Sequence, residues 1–481
     1  MVIIGYVKKI IDKLLKLQNR FYPEVKEYYT IGKGKVSLLR VIGVDGESVL
    51  LKCNGSKIEY ARGDETPEHI FVCSTDSVPW YSPIIVKNTD GIVHIVPIEE
   101  LWEKIHGSIL VTDKGEEIKA VSGLRALTSG NPKWTRIKAI IRHPWKGELV
   151  RIVASTGVVD VSPNHSIYVR QGSSYRLINA KDVEIGDVLL TGKFVKPKPR
   201  YLFVGTERLA WLYGFFAAEG CVSTSFYKNN KGYKSTAYYT IICNTDSNLL
   251  DKTLKIIREN FHKSAFIDNR GTSEQSARIY SKDIYFHFYN RFITSRGLKK
   301  VPAEILNGPM NIKKKFLEGY YMGDGYEPWK GAVCFDSKSW ALLQGILWLE
   351  DGRTWSVGCR KDKPNVVRIL IHTNIKSSPK SHPGPRMKNG EVKQVLKIPY
   401  EGYLYDLVTE DGKFITGVGN ISVHNTFLDI ISGEETLREA ITKGHFSIEN
   451  SKTGTIDLVE MQRWASAFER LKGIVRRYVR V

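Results

Sequence analysis

Sequence of β type occurs in two parts of this chain, and a long block of different character separates them. Residues 82–98 and 137–191 contain short apolar runs with polar turns, and the same pattern returns at residues 395–424. Residues 205–330 alternate helical and strand-like patterns. The simplest account is one β-rich module that is split by an insertion. This order limits the possible folds more than any other feature of the sequence.

The two ends of the chain have patterns of their own. Short alternating segments predict a meander of strands at residues 35–43, 48–53 and 57–60. They are divided by the hairpin-turn dipeptides Asp45-Gly46 and Asn54-Gly55. Helices are predicted for residues 1–20, for residues 433–444 and for a longer segment that begins at Asp457. Residues 375–394 are rich in proline, glycine and serine and predict a linker.

Length and composition limit the class of protein. A chain of 481 residues is long enough for about two to four domains. No run of eighteen apolar residues occurs, so no transmembrane helix is predicted, and Asp12 and Lys13 interrupt the N-terminal apolar run, so no signal peptide is expected. Six cysteines show neither a CxxC pair nor metal-ligand spacing. They favour a reducing interior without a zinc site or disulfide framework, and a cytoplasmic location is expected.

The positive charge of the chain is concentrated in its centre. The formal net charge is +20, and residues 193–400 carry 35 Lys and Arg against 17 Asp and Glu, a net of +18. Aromatic residues are interleaved with these basic residues. This pattern indicates a polyanionic partner such as nucleic acid, although a lysine-rich solvated surface would have the same charge.

The tripeptide His424-Asn425-Thr426 contains a peptide bond that can break itself. The asparagine side-chain amide can attack its own carbonyl and close a succinimide, while the neighbouring hydroxyl can hold an acyl group. The preceding histidine can transfer protons. A tripeptide of this kind is usually a loop, and its interpretation depends on what lies upstream.

Three upstream segments carry matching chemistry. Ser77 is a nucleophile followed by a strand, Ser162 precedes His165 by three residues, and Asp406 lies in the apolar run before the terminal tripeptide. Cap and turn roles explain Ser162 by itself but not the order of the segments. In this order the four segments resemble the splicing blocks of inteins. The resemblance implies an all-β splicing domain of the Hint type, split by an insertion, that needs no cofactor.

The resemblance also implies a sequence of steps that begins at Ser77. Ser77 Oγ attacks the carbonyl of Asp76 and converts the amide into an ester, because an inert peptide bond needs a held intramolecular nucleophile. His165 is expected to protonate the departing Ser77 nitrogen. Ser162 is expected to hydrogen-bond near the developing oxyanion. Cys73 remains an alternative first residue, although it places the following strand four residues too late for the family block.

The later steps use the downstream end of the insertion. Thr426 Oγ takes the acyl group and forms a branched ester. Asn425 then cyclises with help from His424 and releases the insertion, after which an oxygen-to-nitrogen shift restores a peptide bond between Asp76 and Thr426. Asp406 is expected to tune the nucleophiles. The chain departs from the family pattern at Ser162, which replaces threonine, and at the segment 407–423, which has no histidine.

Two similar segments lie inside the basic block. Leu209–Gly220 and Phe316–Gly325 are apolar helical patterns with an internal glycine, and they end in Glu219-Gly220 and Asp324-Gly325. Small residues on one face let two helices approach closely. The carboxylates then meet at helix C-termini, which disfavour negative charge, and Mg²⁺ would compensate for this. Two buried helices with incidental terminal acids are the alternative.

These segments resemble the paired motifs of LAGLIDADG (DOD-type) homing endonucleases. The resemblance implies an α/β nuclease domain with two tandem half-domains in a monomer, and double-stranded DNA as the partner. Glu219 and Asp324 would hold Mg²⁺ that activates water. Lys299 and Lys300 match the family block before the second motif, and such a lysine is expected to polarise the scissile phosphate. Candidates for groove contacts are the segment Phe226–Tyr239 and strands near residues 276–288 and 331–373.

Joining the two ends would produce a separate host protein of 132 residues, from residues 1–76 and 426–481. The segments from Thr426 to Gly433 and from Ala440 to Glu449 resemble the sterol carrier protein family. The resemblance implies a small α+β host domain that binds a lipid. An unrelated α+β domain without a ligand is the alternative.

The sequence therefore predicts a multidomain chain with five segments. These are residues 1–76 and 426–481 of a split host domain, residues 77–195 and 376–425 of a split all-β splicing domain, and residues 196–375 of the nuclease domain. The predicted function is self-splicing that releases a site-specific DNA endonuclease. The alternative is a lipid-binding or interaction protein with an inert or DNA-binding insertion. No membrane association is expected for the chain in either case.

Overall fold

The structure is a computed structural model, and it describes residues 77–425 with short gaps, together with four strand backbones nearer the N-terminus. The gaps are residues 107–108, 112–116, 132, 196–197, 201, 229–233, 269–274, 351, 361, 364 and 373–387. The helices predicted for residues 1–20, for residues 433–444 and from Asp457 lie outside the described residues. The same is true of most of the predicted linker and of the segments that resemble a sterol carrier protein.

The N-terminal strands form an antiparallel meander in sequence order. They are β1 Glu24–Thr30, β2 Val36–Ile42, β3 Ser48–Asn54 and β4 Lys57–Tyr60. The three strands predicted from alternating sequence are confirmed within about two residues at each end. β1 had not been predicted.

Strands from both sides of the central block build the β-rich part. Before the block lie β5 Val78–Pro79, β6 Pro83–Lys87, β7 Val93–Pro97, α1 Ile98–Lys104, β8 Ile109–Val111, β9 Glu117–Ala120, β10 Arg125–Leu127, β11 Trp134–Ala154, β12 Val158–Val161, β13 Ser166–Gln171 and β14 Ser174–Asn179. After it lie β23 Val392–Thr409, β24 Lys413–Thr416 and β25 Ile421–His424.

The pairing of these strands crosses the insertion. β11 and β23 form a long antiparallel ladder that runs from Ile137 opposite Thr409 to Ala154 opposite Val392. β5 pairs with β23, and β13 pairs with β25. The sheet orders are β5-β23-β11-β10-β6-β7 and β14-β13-β25-β24. The segments before and after the block therefore complete one another's sheets.

The central block contains two copies of one arrangement. The first is α2 Glu207–Glu219, β15 Gly220–Lys228, β16 Lys234–Asn244, α3 Ser247–Phe261, β17 Phe266–Asp268 and β18 Gln275–Tyr280, followed by α4 Lys282–Phe292 and α5 Ala303–Leu306. The second is α6 Met310–Asp324, β19 Tyr326–Trp329, β20 Ala332–Ser337, α7 Trp340–Leu349, β21 Thr354–Cys359 and β22 Val367–His372. Their sheets have corresponding orders, β15-β16-β18-β17 and β19-β20-β22-β21.

Two segments predicted as strands also contain helices. The segment 276–288 is a strand only to Tyr280, because the Ser281 hydroxyl accepts from Ile284 N and caps α4. The segment 331–373 contains α7, whose residues are buried throughout and therefore lack the one-sided pattern that identifies a surface helix. The chain is thus a multidomain mixed α/β protein, and none of the described helices is long and apolar enough to cross a membrane.

Candidate active sites

Ser77 lies in a buried cluster with the two residues that the sequence had paired with it. Its side chain has no exposed surface, and its backbone N–H donates to Ser162 Oγ over 3.3 Å. Ser162 N donates to the Ser77 carbonyl oxygen over 2.9 Å, and His165 Nδ1 donates to the same oxygen over 3.2 Å. The peptide that follows Ser77 is therefore held from two sides.

The structure gives the contacts of Ser162 and His165 with Ser77 itself. The sequence predicts a role for His165 at the departing Ser77 nitrogen and one for Ser162 near an oxyanion on the Asp76 carbonyl, and Asp76 lies outside the described residues. In the structure the Ser162 hydroxyl contacts that nitrogen, and the His165 ring contacts the carbonyl oxygen of Ser77. A 3.0 Å hydrogen bond from His165 N to the Ser162 carbonyl closes the turn between these residues. Because of this turn, the two side chains contact different atoms of Ser77.

His143 is a further member of this cluster that the sequence analysis missed. Its Nε2 lies 2.9 Å from Ser77 Oγ, and its Nδ1 lies 3.3 Å from the carbonyl oxygen of Pro144. Because a carbonyl only accepts, this contact places the proton on Nδ1 and leaves Nε2 free to accept from the serine hydroxyl. Burial lowers the pKa of His143, which the Pro144 carbonyl opposes. No spacing signal marks this histidine, because it reaches Ser77 only through strand pairing, of β11 with β23 and of β23 with β5.

Asp406 reaches the cluster through the same ladder. Tyr405 pairs with Val78, and continuing this antiparallel register by one residue places Asp406 opposite Ser77. Asp406 is buried, and its Oδ1 accepts from Leu407 N over 2.8 Å. It therefore lies beside the predicted nucleophile.

The downstream tripeptide approaches the same region. Ile167 pairs with Val423, and extending this register places His165 opposite Asn425. His424 and Asn425 are both buried, and Asn425 N donates to the Gly412 carbonyl over 3.2 Å. Strand pairing thus brings together segments that are more than 250 residues apart in sequence. Thr426, Asp76 and the rival Cys73 lie outside the described residues.

The second candidate site lies between α2 and α6, which approach closely at glycines. A Cβ added to Gly214 would lie 1.8 Å from the carbonyl oxygen of Phe316, and one added to Gly319 would lie 2.0 Å from that of Trp211. At Gly323 it would lie 2.4 Å from Ala218 Cβ. Only residues without a Cβ fit at these positions, and the helix ends are brought together as a result.

Replacing Gly319 with alanine is expected to destabilise this domain, because the new methyl group would meet rigid backbone of α2. We expect a loss of about 3 kcal/mol in the free energy of unfolding, measured by denaturant titration. Gly358→Ala is the matched control, since a Cβ there has open space within 4 Å, and it should change stability by less than about 0.5 kcal/mol. Equal stability of the two variants would contradict the close approach of the helices.

The two acids end these helices. Glu219 is the last residue of α2 and accepts from Asn244 Nδ2 over 2.8 Å, and Asp324 is the last residue of α6. Desolvation raises the pKa of Asp324 to about 6, with Lys299 opposing the shift and Asp336 adding to it. The structure thus places two carboxyl groups at neighbouring helix C-termini, where negative charge is disfavoured.

The two predicted lysines face different neighbours. Lys299 Nζ donates to the Ala218 carbonyl over 2.7 Å, and burial lowers its pKa although Asp324 and Glu219 both favour its charged form. Lys300 forms a buried ion pair with Glu100 of α1 instead. Lys299 is therefore the lysine beside the acids. Among the described residues, no group of three or more His, Cys, Asp or Glu side chains could hold a metal ion.

The sheet that follows α2 presents aromatic side chains to solvent. On β15, β17 and β18 the large exposed residues are Phe226, Tyr227, Phe266 and Tyr280. The rings of Phe266 and Tyr280 are stacked, with centroids 5.4 Å apart. Part of the predicted groove-contact segment Phe226–Tyr239, residues 229–233, lies outside the described residues.

Known proteins resemble this chain in sequence over most of its length, although no protein-family model matches it. A DNA polymerase of Acanthamoeba polyphaga mimivirus is 29% identical over 76% of this chain and 22% of its own length. Transcription initiation factor IIB of Methanocaldococcus jannaschii is 23% identical over 81% of this chain and 56% of its own length. The chain thus spans about a fifth to just over half of the length of these two relatives.

Solved structures of two kinds are also similar. The transcription factor IIB Mvu mini-intein matches 73% of this chain and 99% of its own, with 12% identity and a TM-score of 0.29. The homing endonuclease I-DmoI, solved in complex with DNA and Mn, matches 34% of this chain and 89% of its own, with 20% identity and a TM-score of 0.27.

Proposed function

We propose that residues 77–425 form an intein that excises itself and carries a homing endonuclease. The observation that carries the first part is the buried cluster in which Ser77 Oγ lies 2.9 Å from His143 Nε2, beside Ser162 and His165. A serine with a base in hydrogen-bond reach is an activated nucleophile. The strand register that brings Asn425 towards the same cluster supports a reaction that uses both ends of the segment.

The sequence relatives support an insertion that is independent of its host. A DNA polymerase and a transcription initiation factor have different functions by name, yet each resembles most of this chain over only part of its own length. A mobile element that moves between unrelated genes would produce this distribution. The neighbouring host segments, residues 1–76 and 426–481, then belong to another protein.

The first step is an isomerisation of the bond between Asp76 and Ser77. His143 Nε2 accepts the proton of Ser77 Oγ, and this oxygen attacks the Asp76 carbonyl carbon. The carbon–nitrogen bond then breaks and an ester forms. The nitrogen leaves as an amine and takes up the proton that His143 removed from the hydroxyl. Ser162 Oγ lies at that nitrogen, and His165 holds the Ser77 carbonyl in place.

The later steps transfer and release the acyl group. Thr426 Oγ displaces Ser77 Oγ from the ester and gives a branched chain. Asn425 Nδ2 attacks its own carbonyl carbon, its peptide bond to Thr426 breaks, and a succinimide forms, with His424 transferring the proton. The amino group of Thr426 then takes the acyl group from its own oxygen. Asp406 lies opposite Ser77 in the strand register and is proposed to tune the nucleophiles.

The second part of the proposal is cleavage of double-stranded DNA between α2 and α6. Two carboxylates at helix C-termini, one with its pKa raised to about 6, fit a divalent cation, and Mg²⁺ prefers such hard oxygen ligands. Glu219 and Asp324 would hold it, and the ion when bound supplies positive charge for activating water and stabilising the leaving oxygen. Lys299, the lysine beside these acids, is proposed to contact the scissile phosphate. The strands with exposed aromatic side chains are proposed to contact the grooves. Such paired half-domains would act as a monomer.

Mass measurement of the expressed chain tests the splicing proposal directly. Splicing yields residues 77–425 as a 349-residue piece and a ligated product of 132 residues. Recovery of only the intact chain, after incubation at several temperatures and pH values, would overturn it. The lipid-binding alternative then remains, and binding of a fatty acyl probe by the intact chain would support it.

His143 makes a separate prediction about pH. Because burial lowers its pKa below the usual value near 6.5, the ring stays neutral and able to accept a proton as the pH falls towards that value. Formation of the Ser77 ester should therefore be nearly constant from about pH 8 to 6.5 and fall only in more acidic solution. His143→Phe should slow ester formation by about 10²-fold or more, measured as hydroxylamine-sensitive cleavage. The control is His94→Phe, which changes a histidine of β7; equal rates in both variants would exclude His143 as the base.

A further inference from the structure

The insertion shares a hydrophobic core with the β-rich part of the chain. Val158 and Val418 of the β-rich part belong to the same buried cluster as Leu343 and Ile346 of α7. Trp340, at the start of α7, packs edge-on against Tyr81 with ring centroids 5.1 Å apart. Helix α7 is therefore structurally a member of both domains.

Gln344 is the polar residue in the middle of this apolar helix. Its side chain has no exposed surface, and Nε2 donates to Asn420 Oδ1 over 2.6 Å. Its Oε1 accepts from Gly419 N over 2.9 Å. A buried amide is costly unless it is hydrogen-bonded, and here its partners lie in the turn that precedes β25.

This turn has an unusual backbone. Gly417, Gly419 and Asn420 have positive φ angles of 71°, 92° and 64°. A Cβ at Gly419 would lie 1.9 Å from the Thr156 carbonyl oxygen, so the turn packs directly against the segment that connects β11 and β12. A non-glycine residue with positive φ is uncommon, and although asparagine adopts this conformation more readily than most residues, contacts with its side chain help to hold it there. For Asn420, one of the groups that hold it comes from the insertion.

The turn leads directly into the strand that ends at the splice junction. β25 begins at Ile421 and ends at His424, and Asn425 follows. We infer that Gln344 is a positioning residue for cyclisation of Asn425, an inference that rests on the proposed splicing function. A displacement of about 1 Å can slow an intramolecular reaction about 10²-fold, and Gln344 fixes the point from which β25 starts.

The test separates the two ends of the reaction in the full-length chain. Gln344→Leu keeps a similar volume but removes both hydrogen bonds. It should slow Asn425 cyclisation at least tenfold, measured as succinimide-terminated product by mass, while hydroxylamine-sensitive ester at Ser77 stays within twofold. Gln344→Glu keeps an acceptor for Gly419 N but no donor for Asn420, and an intermediate rate is expected.

Asn307→Ala is the matched control. Asn307 is equally buried and also joins the insertion to the β-rich part, but it bonds to both backbone groups of Val93, on β7. It should not slow cyclisation selectively. Three results would overturn the positioning role. Gln344→Leu could slow ester formation and cyclisation equally, or slow neither, or Asn307→Ala could show the same selective slowing of cyclisation. Absence of both reactions in the unaltered chain would instead reject the splicing proposal itself.

Discussion

Replacing Ser77 with alanine is expected to abolish the ligated 132-residue product. Alanine has no hydroxyl, so the ester at residue 77 cannot form. Only bulk water remains as a nucleophile for the Asp76 carbonyl, and because a held side chain reaches an effective concentration of about 10⁵ M or more, cleavage of the bond between residues 76 and 77 should fall by at least about 10³-fold. Loss of the hydroxyl does not disturb the backbone contacts of residue 77 with Ser162 and His165. Slow cleavage at Asn425 can therefore continue, and mass measurement would detect it.

Two companion variants decide where the insertion begins. Ser77→Cys keeps a nucleophile in the cluster and should retain splicing. Cys73→Ala should have no effect if Ser77 is the first residue of the insertion. Abolished ligation in Cys73→Ala together with normal ligation in Ser77→Ala would move the junction upstream and contradict the role proposed for His143.

Loss of DNA cleavage is the second large effect that we expect. Glu219→Gln and Asp324→Asn each remove one carboxylate from the helix ends, and cutting in Mg²⁺ should fall by about 10³-fold or more, because the ion would keep only one protein anion. The substrate is DNA that encodes the uninterrupted join of residues 76 and 426. Binding to that DNA and self-splicing should both persist, since neither acid lies in the Ser77 cluster.

The pH dependence of cutting follows from Asp324. Its pKa of about 6 means that the carboxylate needed for the cation is present above this value and is lost as the pH falls through it. Cutting should therefore decline below about pH 6 and recover in part at higher Mg²⁺, which competes with the proton. Ser77→Ala is the control for this assay, because the precursor should still cut DNA. Loss of splicing in Glu219→Gln would argue against two separate sites.

The sequence identified groups whose chemistry depends on order along the chain. Ser77, Ser162 and His165 were identified because the ordered segments that carry them resemble splicing blocks of inteins, and the structure brings the three residues into contact. His143 was missed because its position depends on the pairing of β11 with β23 and of β23 with β5, and strand pairing over long separations leaves no local signal. Gln344 was missed for a similar reason. The role inferred for this single amide in an apolar helix depends on its hydrogen bonds to Gly419 and Asn420, which lie on a distant segment of the sequence.

Helix and strand assignments failed where burial removed the periodic pattern. Helix α7 is buried on all sides, so its sequence has no polar face to reveal a helical repeat. The repeated glycines of α2 and α6 were easier to interpret from the sequence, because the two helices can approach closely only where glycines lie on the facing sides. Lys300 matched the lysine block that precedes the second motif of the nuclease family, but in the structure it forms an ion pair with Glu100. Tertiary contacts of this kind cannot be read from the sequence.

The β11–β23 ladder has a consequence for the timing of the reaction during synthesis. β11 ends at Ala154 and β23 begins at Val392, so the ribosome must make the whole intervening block before the ladder can form. At about 5–20 residues per second this takes on the order of ten seconds or more. Until then the segment that places Asp406 beside Ser77 does not exist. Under the proposed mechanism the nascent chain would be protected from premature breakage at Ser77, and excision would wait until the proposed endonuclease has been translated.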